Sequence, residues 1–118
     1  TDLPIAFHSD GAITKIIGDL ADIGIDILNP LEPLEAMDWP AVKKEFGDRM
    51  SFMGGVDLKK ALPGTKDDVI TDVQRCIDTF AKGGGYILTS ANHMQSDIPP
   101  ENIVTMFETV KSYGTYGG

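Results

Sequence analysis

One pattern occurs four times in succession along this chain of 118 residues. Each repeat has a short apolar run, a polar loop and a stretch with the apolar spacing of an amphipathic helix. The apolar runs are Pro4–His8, Ile25–Pro30, Met50–Asp57 and Tyr86–Ser90. Alternation of strands with helices predicts parallel strands joined by right-handed crossovers. Because the runs are apolar nearly throughout, we expect helices to cover the sheet.

Start and stop signals delimit the predicted helices. Asp38 can cap the second helix, with Pro40 in its first turn, and Thr65 with Asp68 resembles the capping box of a third helix that ends by Gly83. The apolar positions of the first helix are Ile13, Ile16, Ile17, Leu20 and Ala21. The fourth predicted helix starts at 99–101 and ends at Gly114. Its apolar positions are Ile103, Met106, Phe107, Val110 and Tyr113. We expect residues 115–118 to form a frayed tail.

Four repeats amount to half of the common parallel barrel, since a complete (β/α)8 barrel takes about 250 residues. The competing architecture is an open doubly wound sheet, which often binds a nucleotide on a glycine-rich loop after a strand. No run is followed by G-x-G-x-x-G or G-x-x-x-x-G-K-[ST], and Gly83–Gly85 precedes a strand. The sequence therefore favours an α/β fold in which residues 1–118 form a single domain, half of a TIM barrel.

A half barrel leaves two open edge strands and an apolar concave face. Open edges promote pairing with another chain. We therefore expect residues 1–118 to form a homodimer through the open barrel edges, to associate with a missing half, or to aggregate. The chain begins at Thr1 rather than Met, so we expect it to be a piece of a longer protein.

Charge and cysteine content limit the classes of partner and metal site that this chain can have. Asp and Glu total 18 and Lys and Arg total 10, which gives a net charge of −8. Such a chain is a poor candidate for binding nucleic acid or an anionic membrane. No run approaches the roughly 18 apolar residues of a membrane span, and no signal-peptide pattern is visible, so we expect a cytoplasmic protein. The single Cys76 excludes an intrachain disulfide and a cysteine-only zinc site.

Polar residues follow the apolar runs, at the carboxyl ends of strands, where parallel α/β folds bind ligands. His8 and Asp10 are two positions apart, so on an extended strand they face the same side. An imidazole beside a carboxylate suits a metal site or a general base held by its partner, and His93 could add a third ligand. The whole set is His8, Asp10, Asn29, Glu32, Asp57, Ser90, Asn92 and His93.

Most of these residues also have a purely structural interpretation. Asp10 can cap a helix beside a packed His8, and His93 can be an exposed loop residue. Asp57 can form an Asx-turn. Cys76 lies in an apolar helical stripe, which favours packing over catalysis.

Gly54 and Gly55 at the end of the third run indicate either that a flat ligand approaches the backbone closely or that the strand has a β-bulge there. Positive charge is scarce at the predicted mouth. We expect neither Arg49 nor Arg75 to reach it, which leaves Lys59–Lys60. The segment therefore lacks the bidentate arginines that a polyanionic ligand favours.

These strand-end residues and their surroundings resemble the C-terminal half of the uroporphyrinogen decarboxylase superfamily. That superfamily includes the decarboxylase of haem biosynthesis and the zinc-dependent methyltransferases that demethylate corrinoid proteins or cobamides. The order and spacing of the matching segments fit strands five to eight and the final helix of its (β/α)8 barrel. The segments are 7–11 (FHSDG), 47–49 (GDR), 54–57 (GGVD), 86–88 (YIL) and 97–102 (DIPPEN).

The resemblance implies one of two activities. In the decarboxylases, which need no cofactor, the last strand ends in Gly-His-Gly, and this chain has Ala91-Asn92-His93 there. In the methyltransferases, zinc is bound by a His-x-Cys on strand five and a Cys after strand eight. His8 matches the first zinc ligand, whereas Asp10 and Asn92 stand at the cysteine positions. A zinc site that uses His8 and Asp10, with a corrinoid as substrate, stays open because zinc accepts nitrogen and oxygen ligands.

The leading hypothesis is uroporphyrinogen-type decarboxylation of a tetrapyrrole by a parent enzyme. We assign catalysis to His8, Asp10, Asn92 and His93, and substrate binding to Asn29, Gly54, Gly55 and Asp57. Zinc-dependent methyl transfer from a corrinoid is one alternative, and a non-catalytic, self-assembling half barrel is another. Because the family's decarboxylases bind the carboxylate arms through their N-terminal half, we expect no turnover by this chain alone.

Overall fold

The computed structural model describes residues 2–115 and consists of four strands that alternate with helices. The elements are β1 (Ala6–His8), a 3-10 helix (Thr14–Ile16), α1 (Ile17–Asp22), β2 (Ile27–Asn29), α2 (Trp39–Phe46), β3 (Ser51–Val56), α3 (Lys66–Phe80), β4 (Tyr86–Ser90) and α4 (Pro100–Tyr113). Strand β4 has the predicted bounds, and the other three strands lie inside their predicted runs. The predicted frayed tail falls mostly on residues 116–118, which lie outside the described residues.

The strands form one parallel sheet in the order β1-β2-β3-β4. A doubly wound sheet reverses its strand order at a switch point, whereas a barrel keeps chain order. The loops after the first and last strands also meet, since the Asn92 side-chain amide donates a hydrogen bond of 3.1 Å to the Asp10 carboxylate. Sequential order and meeting ends confirm the prediction of four βα units from a (β/α)8 barrel.

Strand register divides the sheet into two rows of side chains. Phe7, Leu28, Phe52 and Tyr86 are aligned across the four strands, and we call them the outer row. The residues that follow each of them, His8, Asn29, Met53 and Ile87, form the inner row. Because successive side chains point to opposite faces of a strand, the rows face opposite sides of the sheet.

The core lies on the outer face, where the helices pack. The rings of Phe52, Phe80 and Tyr86 stack in sequence, with centroids 6.2 and 5.2 Å apart, and Trp39 contacts Phe80 edge-on at 5.9 Å. Leu28 and Phe52 are fully buried. Within residues 2–115 the inner face lacks such a cover of helices, and Ile87 on that face keeps 46% of its surface exposed. A sheet with one face covered by helices and the other exposed is what half of a barrel wall is expected to show.

Local signals in the sequence explain the starts of α2 and α3. Asp38 accepts a hydrogen bond from the Ala41 backbone N–H, with Pro40 in the first turn. Thr65 and Asp68 exchange both hydrogen bonds of a capping box. Cys76 is buried in the α3 face, which confirms its packing role. Within residues 2–115, every helix is too short or too polar to traverse a lipid bilayer.

The predicted first helix is only partly correct. Ile13, Ile17 and Leu20 are buried as expected, but Ile16 is 42% exposed. The segment Thr14–Ile16 is a 3-10 helix, and α1 begins only at Ile17. A 3-10 helix has three residues per turn rather than 3.6, so its side chains do not keep the α-helical stripe.

The predicted buried face of α4 is wrong for Phe107 and Tyr113, which are exposed. The face that packs is mostly polar and comprises Asn102, Thr105, Met106 and Thr109. Asn102 donates hydrogen bonds of 2.8 Å to the carbonyls of Leu62 and Gly64 in the loop before α3. These bonds help to fix the rotation of α4, in which Ile103, Met106 and Val110 pack against the core as predicted.

Candidate functional site

A hollow of about 340 Å³ opens on the inner face at the carboxyl ends of the strands. We call it the inner hollow. Strand β1 contributes His8, β2 contributes Asn29, and the loop after β4 contributes Asn92 and His93. Its remaining lining consists of Pro30, Met53, Thr89, Ser90 and Met94. Parallel α/β folds place ligands at this end of the sheet, so the hollow is the candidate site.

The His8 imidazole is held by its neighbour in the inner row. His8 Nδ1 lies 2.6 Å from Asn29 Oδ1, and Asn29 Nδ2 donates to the Met53 carbonyl at 3.1 Å. The chain of contacts thus runs across β1, β2 and β3. The orientation of the ring is therefore set by the sheet.

Asp10 connects the two ends of the sheet. Its Oδ1 lies 3.7 Å from His8 Nε2 and accepts the 3.1 Å hydrogen bond from Asn92 Nδ2. Asn92 Oδ1 in turn accepts from the His93 backbone N–H at 2.8 Å and lies 3.1 Å from His93 Nδ1. Four of the predicted site residues, His8, Asp10, Asn92 and His93, therefore form one network.

Asp57 lies apart from that network. Its Oδ1 accepts the Lys59 backbone N–H at 2.7 Å, which is the Asx-turn that the sequence left open. It lines a second hollow of about 340 Å³ with Glu32 and Asn92, on the rim beside the inner hollow. Asp57 and Asn92 thus line the same rim hollow. Within residues 2–115, Asp57 makes no direct hydrogen bond to His8 or Asp10.

The chain itself occupies the space beside Gly54 and Gly55. A Cβ on Gly54 would lie 2.8 Å from the Leu31 backbone nitrogen, and one on Gly55 would lie 3.1 Å from the Tyr86 hydroxyl. Both glycines are buried, and both have positive φ. Backbone atoms of Pro30 and Leu31 pack against Gly54, side chains pack against Gly55, and neither glycine lines the inner hollow.

Two side chains that the sequence did not single out hold this glycine pair. The Tyr86 hydroxyl donates to the Gly54 carbonyl at 2.6 Å, and Arg75 Nη2 donates to the Gly55 carbonyl at 2.9 Å. Arg75 also donates through Nε to Asp72 at 2.7 Å. The prediction that Arg75 stays outside the mouth holds for the inner hollow, but its guanidinium does reach the carboxyl-end half of β3 from the outer face.

The other charges agree with the expectation of an arginine-poor mouth. Arg49 pairs with Asp22 at 2.6 Å, and neither residue lines the inner hollow. Lys59–Lys60 lines the rim hollow, where Glu32, Glu35 and Asp57 are also present. The described mouth therefore offers few cations to a polyanion.

The described residues do not complete a zinc site. Within residues 2–115, no three His, Cys, Asp or Glu side chains are grouped so that they could hold a metal ion. Catalytic zinc normally has three protein ligands and one open position. His8 and Asp10 supply two donor atoms 3.7 Å apart, so we derive no chemical step through a metal.

What the network can do is exchange protons. An imidazole within reach of a carboxylate is the common arrangement for a general acid or base. The polar groups stand beside Met53, Met94 and Pro30, so the hollow combines hydrogen-bonding groups with an apolar floor, as small-molecule sites commonly do.

The fold and the polar cluster at the strand ends together define half of a (β/α)8 barrel. A model of the Uroporphyrinogen decarboxylase (URO-D) family matches residues 1–113, and the chain belongs to that family.

Curated relatives include the uroporphyrinogen decarboxylase of Methylococcus capsulatus, with 24% identity over 94% of this chain and 30% of the relative. The uroporphyrinogen decarboxylase of Legionella pneumophila (strain Lens) is 26% identical over 77% of this chain and 25% of the relative. The chain thus spans less than a third of the length of either relative.

A solved structure with the same fold is a methyltransferase from Methanosarcina mazei. It superimposes with a TM-score of 0.78 and 20% sequence identity, and the match covers 97% of this chain and 32% of that protein. At this level of identity the likeness confirms the fold.

Proposed function

We propose that this chain forms the C-terminal half-barrel domain of a cytoplasmic enzyme that removes carboxyl groups from a uroporphyrinogen-type tetrapyrrole. The observation that carries the proposal is the network from His8 through Asp10 to Asn92 and His93, which joins both ends of the sheet around one hollow. Membership of the URO-D family supports this substrate class.

The reaction needs a proton at the site where carbon dioxide leaves. When the carbon–carboxylate bond breaks, its electron pair stays on the remaining carbon, and that carbon takes up a proton. In this proposal His8, beside Asp10, delivers the proton as a general acid. No cofactor is required for this step, and Asp10 stabilises the imidazolium while it carries the charge.

The same proposal assigns the carboxylate arms of the substrate to residues outside this chain. Among the described residues 2–115, no arginine or lysine lines the inner hollow, and the rim has Lys59–Lys60 next to three carboxylates. Bidentate arginines are the usual partners of carboxylates. We therefore expect no turnover by residues 1–118 alone, and detectable decarboxylation of uroporphyrinogen by the isolated chain would contradict this assignment.

Decarboxylation of uroporphyrinogen by the full-length gene product tests the proposal, with product mass as the readout. We expect His8→Ala to lower kcat by about 10²–10⁴, the usual contribution of a general acid. Ser96→Ala, an exposed change in the loop after β4, is the matched control and should leave kcat unchanged. An inactive parent, or an active one that tolerates His8→Ala, would overturn the proposal.

Methyl transfer from a corrinoid is the competing activity, and the contact between His8 and Asp10 is the observation that supports it. In that case a third zinc ligand must come from beyond the described residues. Metal analysis of the full-length protein separates the two activities. Stoichiometric zinc that is lost in His8→Ala favours methyl transfer, whereas an active protein without zinc excludes it.

A third candidate is that the isolated chain is a non-catalytic module that closes its barrel with a second copy. Apolar side chains are exposed at both edge strands, with Ile5 just before β1 and Ile87 on β4. Such flanks and open strand edges favour self-association. Sedimentation should show a dimer, and a stable monomer at high concentration would contradict this candidate.

A further inference from the structure

Both histidines of this chain are paired with an asparagine. His8 Nδ1 faces Asn29 Oδ1 at 2.6 Å, and His93 Nδ1 faces Asn92 Oδ1 at 3.1 Å. The chain has only two histidines, so every imidazole is in such a pair. A hydrogen bond at one ring nitrogen decides which nitrogen carries the proton in the neutral ring.

Pro30 explains why the Asn29 amide has only one orientation. The Ser51 N–H donates to the Asp26 carbonyl, and continuing this parallel ladder would place the N–H of residue 30 on the Met53 carbonyl. Proline has no N–H, and the Asn29 side-chain Nδ2 donates to Met53 in its place. Asn29 Oδ1 is therefore turned toward His8, and an amide oxygen can only accept. His8 Nδ1 must carry the hydrogen, which leaves Nε2 unprotonated in the neutral ring.

The Asn92 amide is oriented in a different way. Its Nδ2 donates to the Asp10 carboxylate, so its Oδ1 accepts from both the backbone N–H and Nδ1 of His93. His93 therefore also carries its hydrogen on Nδ1. Here the anchor of the asparagine is a side chain, whereas the anchor of Asn29 is the backbone of β3.

We infer that Asn29 and Asn92 are positioning residues that hold His8 and His93 as Nδ1–H tautomers, each with an unprotonated Nε2 in the neutral ring. The Asn29 pair is locked by the sheet, and the Asn92 pair depends on Asp10. This assigns to Asn29 a role through His8 in place of direct substrate binding. The inference concerns the chain's own hydrogen bonds and holds whichever reaction the family member catalyses.

The test is a long-range ¹H–¹⁵N correlation spectrum of the imidazole rings in the ¹⁵N-labelled chain, recorded at a pH where both rings are neutral. The variants His8→Ala and His93→Ala assign the two ring systems. We expect protonated-type nitrogen shifts at both Nδ1 atoms and unprotonated-type shifts at both Nε2 atoms. The opposite pattern at either ring, or averaged shifts at His8, would overturn the inference.

Substitutions separate positioning from a general effect on the fold. Asn29→Ala should release the His8 tautomer into an averaged mixture and leave His93 unchanged. Asn92→Ala and Asp10→Ala should release His93 and leave the Nδ1–H signature of His8 in place. Ser96→Ala should move neither ring, and the backbone amide spectrum should show that each variant folds. If Asn29→Ala leaves His8 unchanged, or changes both rings equally, the assigned role is wrong.

Discussion

The outer and inner rows of the sheet differ by a single step along each strand, yet they have different physical roles. Leu28 and Phe52 of the outer row are fully buried under the helices. His8 and Asn29 of the inner row line the candidate site. The period of two along a strand separates the residues that stabilise the fold from those that face a ligand.

This difference teaches where substitutions should alter stability and where they should alter chemistry. Outer-row changes remove contacts in a dense interior and should lower the free energy of unfolding. Inner-row changes act on half-exposed groups and should leave that free energy nearly unchanged. Four predictions test this division, beginning with the largest expected effect.

The first prediction compares Phe52→Ala in the outer row with Ile87→Ala in the inner row. Phe52 is fully buried and stacks on Phe80, so its truncation should cost about 3–5 kcal/mol of unfolding free energy. Ile87 is 46% exposed, and its truncation should cost about 1 kcal/mol or less. Urea denaturation of both variants measures the two values, and equal losses would contradict the assignment of the core to the outer face.

The second prediction concerns the glycine at the junction of the two faces. Gly54→Ala should cost roughly 2–4 kcal/mol, because the new methyl would lie 2.8 Å from the Leu31 nitrogen at a φ of 124°. Gly83→Ala is the matched control, since Gly83 also has a positive φ of 80° but has nothing within 4 Å of its Cβ position. The excess cost at Gly54 measures mainly the close approach of the loop after β2, at Leu31, to β3. Equal costs would show that only the backbone angle matters.

The third prediction is a loss of stability at alkaline pH that originates behind the outer row. Burial raises the pKa of the Cys76 thiol to about 12 from 9.0, although Arg75 opposes the shift, and burial raises the pKa of Tyr86 as well. Between pH 9.0, the ordinary pKa of the thiol, and about pH 12, its pKa in the folded chain, the unfolded chain releases the thiol proton while the folded chain retains it. The folded state then binds more protons, so the unfolding free energy falls as pH rises, by up to about 1.4 kcal/mol per pH unit for the thiol.

Urea denaturation at a series of pH values from about 8 to about 11 measures this slope, because the thiol of the unfolded chain titrates within that range. The Cys76→Ala variant should lose part of the slope, whatever its stability at neutral pH. A slope identical to that of the unsubstituted chain would rule out the thiol as its source.

The smallest effect is expected at the site itself. His8→Ala should change the unfolding free energy by about 0.5 kcal/mol or less, since the His8 side chain is 52% exposed. The same variant is the one expected to lower the activity of the full-length protein. A loss of stability comparable to that of Phe52→Ala would show that His8 supports the fold.

Much of the fold follows from local sequence signals. The caps at Asp38 and Thr65 depend on residues within a few positions, and periodicity shows the buried face of α3. The rotation of α4 could not be predicted in this way. Asn102 bonds to carbonyls 38 and 40 residues away, and in the rotation that includes these bonds Phe107 is exposed.

The candidate site was predictable in its membership but not in its connections. The position of His8, Asp10 and Asn92 after strands placed them at one end of the sheet. The Asn92–Asp10 bond requires the curvature of four strands, which sequence spacing does not reveal. The role of Asn29 had a signal in the sequence, because Pro30 removes a backbone donor from the hydrogen-bond ladder. That the Met53 carbonyl is the acceptor follows only from strand register.

Cross-linking across the mouth tests most directly the central claim, that the sheet curves until its first and last strand ends meet. In a Cys76→Ala background, Asp10→Cys with Asn92→Cys should react with a short bifunctional maleimide to give an intramolecular product. Asp10→Cys with Lys111→Cys, at the far end of α4, is the control pair and should react much more slowly. Equal rates for both pairs, or a product formed only between chains, would contradict the half-barrel site.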